Sequence, residues 1–286
     1  MTKEEQQDML SAIKEDQEAK KSKRKTWSPP SDQEGDFKVR ILPPLKRKNE
    51  KLFYSFYKNH WVGQSPYLCL NQKIVDKNGE THLPEECPIC NYVKKLYKVA
   101  GNDKECDEAK LASQISARDR YLYRVAVRGS EDETMPVLWE SSKTMFSAIV
   151  GFMTTDNPEK NYGIIVDPLE GRDFIISKKG KGSRSNYDQS VPSNSQSQMF
   201  PEKEKIQKAL INAEKLEYNS IFEFSTAETM EKALKEFIAG NDSDTAPVQK
   251  AVKQTETVIE HKKKEEVVEE SSESDDAIDD LLKDLF

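Results

Sequence analysis

Apolar and polar positions alternate in several short runs between residues 35 and 180, the period-2 signature of strands half buried against a core. In DFKVRILPP (residues 36–44), Phe37, Val39 and Ile41 alternate with polar neighbours until Pro43-Pro44 stop the run. LFYSFYKNHWV (52–62) is aromatic and strand-like, and RYLYRVAVRG (120–129) alternates again before Gly129. YGIIVDP (162–168) and RDFIISKKG (172–180), joined by Leu-Glu-Gly, predict a hairpin. The period then changes. SSKTMFSAIVGFM (141–153) predicts a helix with a Ser N-cap, and ICNYVKKLYKVAG follows Cys87 with helical spacing. PEKEKIQKALINAEKL (201–216) opens on a Pro, suited to a helix's first turn, and carries an i, i+4 apolar face; TAETMEKALKEFIAG (226–240) ends on Gly. Short strands with intervening helices and long loops predict an α+β core with a small barrel, although the pattern does not separate a barrel from a sandwich.

The pattern fades at both ends. Residues 3–20 have weak helical periodicity in Met9, Leu10 and Ile13, and KKSKRKTWSPPS (20–31) is basic and closed by two prolines. Residues 1–34 therefore read as a basic N-terminal arm, and 35–240 as the core. From Asn241 there is no aromatic residue until Phe286, and Lys, Glu, Asp, Ser and Thr dominate, so 241–286 reads as a disordered linker and tail.

Charge sharpens that division. The chain of 286 residues has a formal net charge of −7, but Glu265–Phe286 holds ten acidic residues and one basic, while the other 264 residues carry a net +2. A near-neutral body with basic clusters and an acidic tail points to a polyanion partner. The opening MTKEEQQDMLSAIKEDQEAKK has no apolar signal region, and no apolar run approaches the ~20 residues of a membrane span. The expectation is an intracellular protein that does not enter a membrane, with reduced thiols.

The cysteines are Cys69, Cys87, Cys90 and Cys106, and the histidines His60, His82 and His261. In LPEECPICNY (83–92), the Cys-x-x-Cys turn points two thiolates at one tetrahedral ion. His60 and Cys69 upstream complete a Cys₃His set, a known structural zinc combination. On spacing alone His82 is an alternative to His60, and Cys106 completes a Cys₄ set. A thioredoxin-like redox pair is the rival, but it needs a βαβ context that the pattern does not supply. No phosphate-binding Gly loop, nucleophile elbow or paired-carboxylate signature supports a hydrolase, so a binding protein rather than an enzyme is expected.

Three stretches interleave basic and aromatic residues, the combination that tracks phosphates and stacks on unpaired bases. The first holds Arg118, Arg120, Tyr121, Tyr123, Arg124 and Arg128 on one strand, with the tyrosines on one face and Arg118, Arg120 and Arg124 on the other. The second holds Lys178, Lys179, Lys181, Arg184 and Tyr187 in a glycine-bearing loop. The third holds Tyr92, Lys94, Lys95, Tyr97 and Lys98. In the tail, Ile278, Leu281, Leu282, Leu285 and Phe286 fall at helical spacing among acids. They predict an amphipathic segment that docks on partner proteins while its charges compete for the basic groove. A zinc-ribbon RNA or transcription factor is a further alternative and would be sensitive to the 2′-OH.

In this order, GDFKVRILP, the Asn-His ending at His60 followed by Cys69, CPIC with Tyr92, the Arg-Tyr strand at 118–124, SNYD at 185–188 and the acidic DDLLKDL ending resemble the single-stranded DNA-binding proteins of T-even-type bacteriophages. The resemblance covers about residues 35–216 and the tail. It implies an OB-fold core and a zinc subdomain over about 60–100, with one structural Zn²⁺ on His60, Cys69, Cys87 and Cys90. It also implies single-stranded DNA (ssDNA) in a basic cleft, with Tyr97, Arg120, Tyr121 and Tyr187 at matching positions. The motif KRKT, Lys23, Arg24, Lys25 and Thr26, would touch the neighbouring protomer and make binding cooperative. The tail would recruit replication and recombination proteins in the host cell cytoplasm. Four departures stand out. KRKT lies some twenty residues further into the chain than in the family, the Cys69–Cys87 gap is longer and the His60–Cys69 gap shorter than usual, Arg184 stands where the family has an aromatic, and Tyr121-Leu122 replaces two aromatics.

Overall fold

The structure is a computed structural model that describes residues 26–240. Lys23, Arg24 and Lys25 of the arm motif, and the tail residues Ile278, Leu281, Leu282, Leu285 and Phe286 with the rest of 241–286, lie outside the described residues. The chain divides into two compact units. Of the described residues, the first holds 26–60, 66–86 and 117–226, and the second holds 61–65, 87–116 and 227–240.

The sheet is built from β1 (Gly35–Ile41), β2 (Tyr54–Val62), β3 (Ser65–Leu68), β6 (Arg118–Val127), β7 (Val137–Ser142), β8 (Phe174–Lys178) and β9 (Val191–Pro192). Two-residue strands β4 (Ile74–Val75) and β5 (Thr81–His82) form a separate hairpin. The sheet order is β3-β2-β6-β1-β8-β9, with β7 also on β6. Strand β6 organises it. One edge takes β2 (Tyr54↔Tyr123 to Asn59↔Arg118) and then β1 (Val39↔Val127 to Ile41↔Val125), while the other takes β7 (Arg120↔Ser142 to Val125↔Val137). The expected barrel is corrected here: β3 and β9 end the order without pairing to each other, so the described strands form an open antiparallel sheet. Strand β9 is only two residues long and holds Pro192, which has no N–H to extend the ladder.

Both faces of β6 are covered, because the strand is central. Tyr121, Tyr123 and Val125 join Val39, Ile41, Trp139 and Phe174 in one core, capped by Phe146 and Ile149 of α3 (Lys143–Thr154). The Ser142 hydroxyl caps α3 by accepting from Met145 N–H at 3.4 Å, as the sequence predicts. On the opposite face Ala126 packs with Leu42, Leu45 and Phe200 against Ile206, Ala209 and Ala213 of α4 (Lys203–Lys215). That helix starts at Lys203 with Glu202 as N-cap, so Pro201 stands just outside it.

Residues 162–168 are not a strand. Ile165 and Val166 are buried from a turn, which is closed by Arg172 N–H to Ile165 O and Gly171 N–H to Asp167 O, both at 2.9 Å. The Asp167 carboxylate accepts from the N–H groups of Leu169 and Glu170 at 2.7 and 2.8 Å. A Cβ at Gly171 would collide with the backbone oxygens of Ile165 and Asp167, so only glycine fits. Strand β8 therefore pairs with β1 (Gly35↔Lys178 to Val39↔Phe174) and with β9 instead.

In the second unit α1 (Pro88–Ala100) packs on α2 (Asp107–Ile115) and on α5 (Ala227–Gly240). Its core is Ile89, Leu96, Leu111, Ala112, Ile115, Met230 and Leu234. Pro88 occupies the first helical position of α1, where its missing N–H costs nothing.

Candidate metal centre and nucleic-acid interface

His60 sits near the end of β2, Cys69 just after β3, Cys87 at the N-cap of α1 and Cys90 in that helix's first turn. Each offers one ligand atom, and all four atoms lie within 4.8 Å of one another, so the group is able to hold a metal ion. His60, Cys69 and Cys87 are at most 1% exposed. Local hydrogen bonds set the approach. Cys69 N–H donates to Lys58 O at 2.9 Å, and the Gln72 amide brackets Lys58 by accepting from its N–H (2.8 Å) and donating to its carbonyl (2.7 Å).

The alternative ligands fall elsewhere. His82 stacks on Phe224 at 3.7 Å and meets Asp76 Oδ2 through Nε2 at 3.4 Å, in a second group with Glu80. Cys106 caps α2, its Sγ accepting from Ala109 N–H at 3.4 Å and donating to Asp103 O at 3.1 Å. The redox reading lacks its context: α1 follows the two-residue β5 and precedes another helix, and β4 and β5, like β6 and β7, pair antiparallel.

The basic and aromatic candidates separate by burial. Arg118, Lys179, Lys181 and Arg184 are exposed, and Arg120 and Tyr187 half-buried. Tyr97 is 45% exposed on α1, sharing a helix face with exposed Lys94 and Lys98. Four candidates, Tyr121, Tyr123, Arg124 and Lys178, are placed inside instead. Tyr123 is fully buried in the core. Arg124 is 2% exposed, donates from Nη1 and Nη2 to the Glu50 carboxylate at 2.9 and 3.0 Å, and lies 4.0 Å over the Tyr218 ring. Burial pushes the Tyr218 hydroxyl up to about 12, with Arg124 pulling the other way. Lys178 is also 2% exposed; its Nζ donates to the carbonyls of Pro30, Ser31 and Gln33 at 2.5, 3.0 and 2.8 Å. Tyr121 is 8% exposed, its ring stacked on Phe146 at 3.8 Å and 5.2 Å from the exposed ring of Phe56. The sequence reading placed Phe56 on a strand but did not single it out as a surface aromatic.

Lys178 ties the chain leaving the arm to the strand that launches the basic loop. Lys178→Met keeps the apolar stem and removes three charge-assisted hydrogen bonds. It is expected to lower stability by about 2 kcal/mol, read as a lower urea midpoint. An unchanged midpoint would mean that water replaces the amine.

The loop after β8 is closed by reciprocal bonds between Lys179 and Asn186 (2.9 and 2.7 Å). Gly180 has φ +78°, and a Cβ there would meet Arg184 O at 2.5 Å, so glycine sets the tight turn. Lys181 and Arg184 are held at its tip. Beside this loop lies a groove of about 530 Å³, lined by Arg120, Trp139, Glu140, Thr144, Asn186 and Tyr187 among others. Ser28 and Pro29 form part of its wall, which no pattern in the sequence indicated. Thr26 of the arm motif is half-buried, and the following Trp27 donates its N–H to Leu138 O at 2.7 Å.

An antiparallel sheet with helices, a largely buried Cys₃His group and an aromatic, basic loop beside a groove define a binding domain with a candidate metal centre. The chain belongs to the family described as gp32 DNA binding protein like, whose profile matches residues 33–238. No curated protein matches the chain. No helix of the described residues is long and apolar enough to cross a membrane.

Proposed function

We propose that this chain is a non-enzymatic, zinc-containing protein that binds ssDNA cooperatively and without sequence preference, in phage DNA replication, recombination and repair in the host cell cytoplasm. The observation that carries this reading is the family match over residues 33–238, together with a groove that brings Arg120 and Tyr187 into one lining. Arg118, Lys179, Lys181 and Arg184 supply exposed positive charge for phosphates, and Tyr187, Tyr97 and Phe56 supply aromatic faces for unpaired bases. The Tyr121 ring packs 5.2 Å from that of Phe56. Duplex hides its base faces, so stacking favours single strands. The arm motif, Lys23 to Thr26, serves contact between protomers, and the acidic tail recruits replication and recombination proteins.

His60, Cys69, Cys87 and Cys90 would hold one zinc ion. Three thiolates and an imidazole are a donor set that zinc takes tetrahedrally, and Zn–S bonds of about 2.3 Å place sulfurs roughly 3.8 Å apart, within the observed spread. When bound, the ion supplies a structural cross-link between the segments at residues 60, 69 and 87–90.

The test is a salt-resolved fluorescence titration with poly-dT and with duplex. Quenching by poly-dT, with affinity falling at about −0.7 per phosphate contact on a log–log plot, is expected. Tyr187→Ala is expected to weaken binding by about 1–3 kcal/mol, and Arg120→Gln to weaken it and flatten the salt slope. Equal affinity for duplex would overturn the reading.

A further inference from the structure

Glu140 projects from β7 into the lining of the groove beside the basic loop. Its carboxylate is held from two sides. The Tyr57 hydroxyl donates to Oε2 at 2.6 Å, and Arg120 Nε lies 3.4 Å from Oε1. Tyr57 and Arg120 are direct partners across β2 and β6, and Glu140, opposite Leu122 on β7, is the diagonal neighbour of Arg120. Burial, reinforced by Glu140 itself, holds the Tyr57 hydroxyl far above its ordinary value and keeps it a donor.

The two contacts are unequal. The Tyr57 bond is short. The Arg120 contact is a loose ion pair: Nε is buried and makes no hydrogen bond among the described residues, although a guanidinium offers five donors in a rigid fork. The side chains of Arg120 and Glu140 keep 20% and 28% of their exposure, and both residues line the groove. The lining sets Arg120 against two carboxylates, Glu140 and Asp188, the latter accepting from the Asn186 amide at 2.8 Å. A phosphate entering here meets one guanidinium and two carboxylates, so it gains a partner only where Arg120 turns from Glu140 toward it.

We propose that Glu140 is a built-in competitor for Arg120: it occupies the guanidinium while the groove is empty, and a DNA phosphate must displace it. This rests on the ssDNA reading above. Glu140 then sets the affinity of the groove, while Tyr57 keeps the released carboxylate in place, ready to recapture Arg120 when the strand leaves. A phosphate repels the carboxylate and offers the fork a bidentate partner, so exchange is geometrically simple.

Glu140→Gln tests this, because the amide oxygen still accepts from Tyr57 while the charge is gone. Oligo-dT binding at low salt is expected to tighten by about fivefold, the scale of one partly exposed ion pair, with an unchanged melting temperature. In an Arg120→Gln background the same substitution is expected to give no gain. A gain of equal size in both backgrounds would make Glu140 a general repulsive charge and overturn the proposal. Weaker binding by Glu140→Gln would make it an orienting partner of Arg120 and overturn it too. Wild-type protein that fails to bind oligo-dT removes the parent reading and this one together. Wild-type binding that Glu140→Gln leaves unchanged removes only this one.

Discussion

Replacing Cys87 by Ser is expected to release the bound zinc and lower the melting temperature by roughly 10 °C, since each 1 kcal/mol is worth about 2–4 °C in a chain of this size. The size follows from burial. His60, Cys69 and Cys87 are almost fully enclosed, so a lost ligand is not replaced by solvent water. Binding free energies of structural zinc reach about 10–16 kcal/mol in small domains, and a site left with three ligands forfeits much of that. Cys87 stands at the N-cap position of α1 but its side chain makes no capping hydrogen bond, so the substitution tests the ligand set rather than the helix start. Cys106→Ser is the control. That thiol caps α2 outside the cluster, and Ser is a good N-cap, so metal content and melting temperature should both hold. Zinc is counted by atomic spectroscopy on dialysed protein, alongside thermal melts. If Cys87→Ser melts with the wild type, or wild-type protein carries no metal, the four side chains are ordinary packing.

Much of the fold was legible because it is local. Strands β1, β2, β6 and β8 and the helices α1, α3, α4 and α5 announce themselves by period, cap or flanking glycine. What failed was long-range. The segment 162–168 has strand composition, yet Asp167 and Gly171 hold it in a turn, and only the side-chain bond to the backbone distinguishes the two. Strand β7 and helix α2 were not read at all; α2 is short, and its N-cap is a cysteine rather than the usual Ser or Asp. The Cys₃His group was legible from residue type, but the selection of His60 over His82 needed either the resemblance or the fold. Basic residues were the weakest point. Arg124 and Lys178 look like surface charge in sequence, yet each is buried against partners far along the chain, Glu50 and Leu216 for one, Pro30 to Gln33 for the other. A period-2 pattern says which face a side chain shares, and says nothing about whether that face is covered.

The same long-range logic makes Asp173 the other position of large expected effect. Its carboxylate accepts from Arg40 Nε at 2.8 Å and from Arg128 Nη2 and Nε at 2.9 and 3.1 Å. Arg40 is wholly buried and completes its fork on Ser197; Arg128 also donates to Glu133 and to Met199 O. Asp173→Ala would leave the buried Arg40 without its carboxylate, and the expected cost is about 3–5 kcal/mol in urea unfolding at neutral pH. The pH dependence has a definite sign. Burial pulls the Asp173 carboxyl up, but the hydrogen bond and charge of Arg128, with Arg40, outweigh it and hold the group below its ordinary value. The unfolded chain therefore binds the proton first. The stabilisation is complete above the unfolded carboxyl pKa, about 3.9, and is lost as the pH falls through the lower folded value. Wild type and Asp173→Asn should accordingly differ most at neutral pH and converge below about pH 4. A difference that stays constant from neutral pH into acid would mean that shape, not charge, holds this junction. A cost below about 1 kcal/mol for Asp173→Ala would place the pair in the range of solvated surface bridges. Asp173 immediately precedes β8, and β8 leads into the Lys179–Tyr187 loop. The network that fixes β8 on β1 is thus what holds the base of the proposed DNA-contact loop, and an Asp173→Ala protein that still folds should bind ssDNA more weakly without having lost a contact residue.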